Sequence, residues 1–108
     1  MQDGFIVKYN SIDGTYQTSS LISFGVSTTT VVNGITETSD GGLVITGYTT
    51  GAVSLNDSTG GYNNGFLAKF NASTLSKLWL VPTGGYGARN EYPQRVVVAK
   101  DQSLFIVG

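Results

Sequence analysis

The side chains in this sequence that can do acid–base chemistry are few, and they are carboxylates. The chain has 108 residues, with seven Asp and Glu, no His and no Cys. This composition excludes a Ser-His-Asp or Cys-His catalytic device and the ordinary ligands of zinc and haem sites. Asp40 and Asp101 follow the pattern of turn residues, and Glu37 and Glu91 have no evident partner. We therefore expect a protein that is not an enzyme and has no cofactor and no metal site.

Aromatic and amide side chains cluster in and beside two glycine-rich stretches, residues 59–65 and 83–87. These stretches lack the lysine and the following helix of a phosphate-binding loop. Because loops on a rigid scaffold often carry binding sites, their side chains are candidate contacts for sugars or protein partners. These candidates are Tyr62, Asn63, Asn64, Tyr86, Arg89, Asn90 and Tyr92. The alternative is that they serve only turn formation.

Two triplets fit the acceptor pattern Asn-x-Ser/Thr, beginning at Asn56 and at Asn71. Both lie in segments expected to be loops or strand ends, where such acceptors are found. They are candidate N-glycosylation sites if the protein comes from a eukaryotic secretory pathway.

Charge and composition restrict the partners and the location. Six Lys and Arg against seven Asp and Glu give a net charge of -1, and the basic residues are spread along the chain. Without a basic stripe, nucleic acid is a poor partner. No apolar stretch approaches the ~20 residues that span a bilayer, so we expect no membrane insertion. The low charge and the abundance of Ser, Thr, Gly, Asn and Tyr are typical of exported proteins, which predicts an extracellular or cell-surface location.

The elements that must position these side chains repeat along the chain. GFIVKYN at residues 4–10 recurs as GFLAKFN at residues 65–71, an offset of 61 that we call the repeat offset. At the same offset LVITG at residues 43–47 falls on LFIVG at residues 104–108, and Asp40 falls on Asp101. One unchanged offset at separate places indicates a duplicated structure, with repeat units at about residues 1–47 and 48–108.

Short apolar runs separated by turn residues predict β-strands and no helix. We expect four strands, named A to D in chain order, at residues 34–38, 43–48, 65–71 and 77–81. The sequence SDGG at residues 39–42 predicts a tight A–B turn, because Asp-Gly supplies the positive φ that such turns need. Trp79 on strand D is expected to pack in the core, and Thr18 stands at its equivalent position.

Four antiparallel strands per repeat are typical of a β-propeller blade. The compound pattern TSDGGLVITGYT at residues 38–49, GFLAKFN at residues 65–71 and the single Leu78-Trp79 resembles the bacterial SBBP-type β-propeller repeat. The second copy departs from it, with KDQS at residues 100–103 in place of SDGG. The resemblance implies a surface or secreted scaffold and carries no catalytic residues.

The strand order along 1–108 is expected to be C-D, then A-B-C-D, then A-B, a single propeller segment of two blade-equivalents in permuted register. Strand B at the end and strand C at the start would then have unpaired edges, which are templates for another chain. We expect a homo-oligomer in which three or four chains close a ring, or else the remainder of a longer propeller chain. A carbohydrate-binding propeller oligomer is the alternative function, with glycans as its partners.

Overall fold

The computed structural model describes residues 2–53, 62–84 and 90–108. These residues contain β-strands and no helix, which confirms the all-β class. The strands are β1 (Gly4–Tyr9), β2 (Tyr16–Ile22), β3 (Thr30–Glu37), β4 (Gly42–Thr49), β5 (Asn64–Asn71), β6 (Lys77–Pro82), β7 (Arg95–Val98) and β8 (Leu104–Val107).

The strands form three antiparallel sheets: β1-β2, β3-β4-β5-β6 and β7-β8. This grouping into two, four and two strands follows the expected order. The expected start of strand A at Gly34 was wrong, because β3 begins earlier, at Thr30. A register shift between Val32 and Gly34 interrupts the pairing with β4, so the strand continues through a bulge that the alternation of residue types does not reveal.

The outer hairpins repeat each other at the repeat offset. Lys8 of β1 lies opposite Thr18 of β2, and Lys69 of β5 lies opposite Trp79 of β6. The register shifts directly after Lys8 and directly after Lys69. Because register and bulge both recur, β1-β2 has the pairing of the outer half of the four-stranded sheet.

The inner hairpins repeat in the same way. Ile35 of β3 lies opposite Ile45 of β4, and Val96 of β7 lies opposite Ile106 of β8. The β7-β8 sheet therefore has the pairing of the inner half of the four-stranded sheet.

Turn conformations also recur at the repeat offset. Gly14 and Leu75 both have positive φ, at 73° and 58°, and Gly41 and Gln102 have φ of 84° and 72°. In the first pair the backbone N–H donates to the carbonyl four positions earlier, at 2.8 and 2.7 Å. Glycine adopts this conformation without strain, whereas Leu75 and Gln102 adopt it at a cost. The turn conformation is thus the same in both repeat units, although glycine stands at these positions in only one of them.

The main core lies between β1-β2 and one face of the four-stranded sheet. Its buried members are Ile6, Ile22, Ile45, Phe66, Ala68, Phe70 and Leu75. The rings of Phe24 and Phe66 pack with centroids 5.0 Å apart. Because side chains alternate across a strand, Val44 points to the opposite face from Ile45. The β1-β2 sheet therefore covers the face of the four-stranded sheet that carries Ile45, and Val44 lies on the other face.

The β7-β8 sheet covers that opposite face, beside β3. A Cβ on Gly34 would lie 3.1 Å from the Arg95 Cα and 3.2 Å from the Val96 nitrogen. A side chain at Gly34 would therefore hold β7 away, which accounts for glycine in mid-strand. Val96 is buried and Leu104 lines a cleft with Val44. The four-stranded sheet therefore lies between the two-stranded sheets β1-β2 and β7-β8.

Candidate interaction surfaces

Six of the eight described strands have a sheet neighbour on one side only, and two of these, β1 and β8, correspond to strands that have a neighbour on both sides in the complete sheet. Among the described residues, β1 has β2 as its only sheet neighbour and β8 has only β7. The corresponding strands of the complete sheet, β5 and β4, pair with each other along their whole length. Each free edge carries backbone N–H and C=O groups that can pair with another strand.

Apolar side chains that are buried in the whole sheet are exposed in the two half-sheets. Phe66 is 0% exposed and its equivalent Phe5 is 67% exposed. Val44 is 0% exposed, whereas its equivalent Phe105 is 58% exposed. Contiguous exposed apolar groups mark interaction sites in soluble proteins. The outward faces of both half-sheets are therefore candidate contact surfaces.

One ion pair crosses the complete sheet on the face that carries Val44. The Lys69 Nζ lies 2.6 Å from an Asp40 carboxylate oxygen, and Lys69 is largely buried while Asp40 is largely exposed. The Thr38 hydroxyl donates to the other Asp40 oxygen at 2.5 Å and accepts from the Gly42 N–H at 3.1 Å. Hydrogen bonds from Lys69 and Thr38 lower the pKa of the Asp40 carboxyl to about 2. The Asp40 side chain thus binds Lys69 of β5 and, through Thr38, stabilises its own turn.

The repeat equivalents of these two ions are Asp101, in the turn before β8, and Lys8, in β1. Asp101 accepts the Ser103 N–H at 3.0 Å, and this hydrogen bond lowers the pKa of its carboxyl. Within the described residues, neither Lys8 nor Asp101 has a partner of opposite charge. The Asp101 side chain accepts a hydrogen bond within its own turn, as its sequence predicts, whereas the ion pair of its equivalent Asp40 was not predicted.

A cleft lies between the four-stranded sheet and β7-β8, with a volume of about 260 Å³. Trp79 is about a third exposed there and is not enclosed in the core as expected. The Ser39 hydroxyl donates to the Gln102 side-chain oxygen at 3.1 Å across the cleft. The residues that line it are Thr38, Ser39, Asp40, Val44, Lys69, Trp79, Gln102 and Leu104. An aromatic face beside carboxylate, ammonium and amide groups is a chemistry that can bind sugars.

The structure brings together three of the loop residues expected to contact ligands. The Asn90 side-chain oxygen accepts the Asn63 N–H at 2.9 Å, and the Asn63 amide donates to the Tyr92 hydroxyl at 3.1 Å. The Tyr92 ring packs edge-on against Tyr48, with centroids 5.0 Å apart. Because these side chains form hydrogen bonds with one another, they hold the two loops together.

The remaining loop candidates are dispersed. Asn64 is the first residue of β5 and is 4% exposed, with its amide donating to the Gly51 carbonyl at 2.9 Å. Tyr62 is half-buried. Tyr86 and Arg89 lie outside the described residues. The sequence pattern could not distinguish the buried Asn64 from the half-buried Asn63 beside it.

Of the two glycosylation candidates, Asn56 lies outside the described residues and Asn71 ends β5. The Asn71 side-chain oxygen accepts the N–H groups of Ser73 and Thr74 at 2.8 and 3.1 Å. This is an Asx turn, which occupies the oxygen of the amide. The Asn71 side chain is thus built into its turn.

Glu91 has a partner that the sequence did not indicate. Its carboxylate accepts the Gly65 N–H at 2.8 Å, at the start of β5. The contact joins positions 26 residues apart, so only tertiary folding reveals it.

In residues 2–53, 62–84 and 90–108 no three carboxylates converge as a metal site. The same segments contain no helix suited to cross a membrane.

Comparison with known proteins identifies no relative: no family model, curated protein or solved structure matches this chain.

Proposed function

We propose that this chain is a segment of a β-propeller and acts as a non-catalytic scaffold, outside the cell or at its surface, that associates through its free strand edges. The observation that carries the proposal is the recurrence of strand pairing, bulge and turn geometry at the repeat offset. Stacked four-stranded sheets that repeat along the chain are the plan of a propeller.

The exposed apolar area supports association. Phe5, Leu21 and Phe105 are each more than half exposed, and their contribution to folding is correspondingly reduced. Fully burying such a side chain contributes about 1.5–3 kcal/mol. A partner that covers both ends of the stack would gain this free energy and would pair the two edges.

The test is the mass of the purified chain under native and denaturing conditions. We expect a denatured mass near 11.4 kDa, with a native mass three or four times larger for a closed ring or an open-ended distribution for a filament. A single native species at the denatured mass contradicts the proposal.

A matched pair of variants locates the contact. Val107 and Val26 are both exposed, at 61% and 89%. Val107 lies in β8, whereas Val26 lies in the loop between β2 and β3. Val107→Lys places a charge on the free edge strand and should abolish association. Val26→Lys makes the same change away from both edges and should leave the native mass unaltered.

Glycan binding is a second candidate function, favoured by the cleft beside Trp79. Its volume is slightly below the ~300–1,000 Å³ of drug-sized pockets, a size for a single sugar ring. Trp79 is the only tryptophan in the chain, so its fluorescence reports on this cleft alone. Glycans found on an array should change that fluorescence, and Trp79→Ala should abolish binding. Tyr92→Ala tests the loop cluster; loss of binding in that variant alone would move the site there.

A further inference from the structure

We infer that the partner of each free edge is a second copy of this chain, with β8 of one copy beside β1 of the next and Asp101 of one copy paired with Lys8 of the other. This inference rests on the proposed function and names its partner.

The register follows from the pairing inside the complete sheet. Leu43 of β4 lies opposite Phe70 of β5. At the repeat offset, the equivalent of Leu43 is Leu104 and the equivalent of Phe70 is Tyr9. If the sheet formed between two copies has the register of the four-stranded sheet, Leu104 of one copy lies opposite Tyr9 of the next.

The next pair on the same face has matching chemistry. Ile45 lies opposite Ala68 in the complete sheet, and the corresponding pair between copies is Ile106 and Val7. The two pairs between copies join aliphatic or aromatic side chains, and so do the two corresponding pairs in the four-stranded sheet. Such cross-strand pairs stabilise a particular register.

Charge makes the two edges complementary. The only ion pair of the described residues, Asp40 with Lys69, becomes Asp101 with Lys8 when each member is replaced by its repeat equivalent. The carboxylate lies beside one free edge and the ammonium on the other. The contact is therefore heterologous, joining unlike edges head to tail.

The exposed faces also match in this arrangement. The β1-β2 sheet of the partner would extend β7-β8 outward, over the part of the four-stranded sheet where Trp79 and Val81 are still exposed. Phe5 is on the side of β1 that would face them. The composite sheet of β7-β8 and the partner's β1-β2 would thus cover the four-stranded sheet across all four of its strands.

The partner's β7-β8 sheet would in the same way cover the inner strand. Ile35 in β3 is 57% exposed, whereas Ile45, which lies opposite it in β4, is fully buried. Val97 and Phe105 point to the outward side of β7-β8, opposite to the buried Val96. These side chains would lie over Ile35 of the second copy.

Cysteine cross-linking tests the register, because the chain has no cysteine of its own. Residues opposite each other in antiparallel strands have Cα atoms about 4.5–5.5 Å apart, within the range of a disulfide. The double variant Tyr9→Cys/Leu104→Cys should form covalent dimers, trimers and higher species on mild oxidation. The matched control Val7→Cys/Leu104→Cys places the thiols diagonally, about 7–8 Å apart, and should remain uncross-linked.

Charge exchange tests the ion pair. Lys8→Glu alone or Asp101→Lys alone places like charges together and should weaken association about threefold to tenfold. The double variant Lys8→Glu/Asp101→Lys should restore it. Lys77→Glu, the same charge change outside both edges, is the control. An unchanged urea midpoint in each variant shows that the fold is retained.

The outcomes separate the inference from the proposed function. A native multimer that cross-links no better at positions 9 and 104 than in the control overturns the register and leaves the scaffold proposal standing. Single charge variants that associate like the parent overturn the ion pair. A chain that is monomeric by native mass at all concentrations overturns both proposals and leaves another polypeptide, or further sequence of its own, as the occupant of the edges.

Discussion

Phenylalanine at two equivalent positions offers a direct measure of what burial contributes to the stability of the fold. Phe66 and Phe5 occupy the same place in the repeated motif, yet Phe66 is fully buried and Phe5 is two-thirds exposed. Replacing each by alanine therefore removes the same atoms from two different surroundings. We expect Phe66→Ala to destabilise the fold several times more than Phe5→Ala.

The magnitudes follow from burial. Phe66 packs against Phe24 within the main core, and a buried Phe→Ala change costs about 3–5 kcal/mol. Phe5 retains about a third of its burial, and a third of the ~1.5–3 kcal/mol for full burial is about 0.5–1 kcal/mol. With a urea dependence of about 1.5 kcal/mol per M, the midpoint should fall by about 2–3 M for Phe66→Ala and by well under 1 M for Phe5→Ala.

The assay is urea unfolding followed by the fluorescence of Trp79, at a protein concentration low enough to keep the edges unpaired. Repeating it at high concentration should increase the loss for Phe5→Ala and leave that for Phe66→Ala unaltered, because the proposed association would bury Phe5, whereas Phe66 is already buried. Equal losses at low concentration would refute the reasoning from burial. A Phe66→Ala loss below about 1 kcal/mol would contradict the core assignment, since a buried phenylalanine contributes more than that.

Three further predictions concern the turns and the ion pair. Gln102→Gly should stabilise the fold by up to about 0.5 kcal/mol in urea unfolding, because relief of left-handed strain exceeds the added freedom of the unfolded chain together with the loss of the exposed hydrogen bond from Ser39; a destabilisation larger than that of Ser39→Ala would show that its φ of 72° is unstrained. Leu75→Gly relieves similar strain but loses a buried side chain, so it should destabilise by about 2 kcal/mol or more, and a gain would contradict its place in the core. The pKa of the Asp40 carboxyl is about 2, below its ordinary 3.8, so the stability that its ionised form contributes is complete above about pH 5 and is lost as the pH falls through 3.8 toward 2. Asp40→Asn should show a smaller fall in urea midpoint between pH 4 and pH 2 than the parent, and an identical fall would exclude Asp40 as the group responsible.

Much of the architecture was accessible from residue order. Strand order and the grouping into two, four and two strands agree with the structure, because alternation and turn residues act over a few positions. Gly41 has the positive φ expected of the Asp-Gly turn. The start of β3 was missed because its first residues pair with β4 beyond a bulge, which leaves no local pattern.

The candidate surfaces were less accessible. Asn63, Asn90 and Tyr92 meet through hydrogen bonds between two loops, a contact that the sequence did not predict, and their role as ligand contacts stays a prediction. Asn64 does not join them, because the pairing of β4 with β5 extends to include it. Glu91 found its partner at Gly65 through folding of distant segments, which no spacing along the chain describes.

The sequence by itself determined the repeat and its offset, the strands, their turns and the absence of imidazole and thiol chemistry, because each can be read from residue types and their order. Only the tertiary structure decided which equivalent residues are buried. Phe66 and Phe5 have similar local sequences, and Lys69 and Lys8 occupy the same place in the motif. In the described residues, however, only Phe66 is buried and only Lys69 is paired with a carboxylate. Burial and ion pairing depend on the strands that lie alongside, and in the described residues β1 and β8 each have a neighbour on one side only.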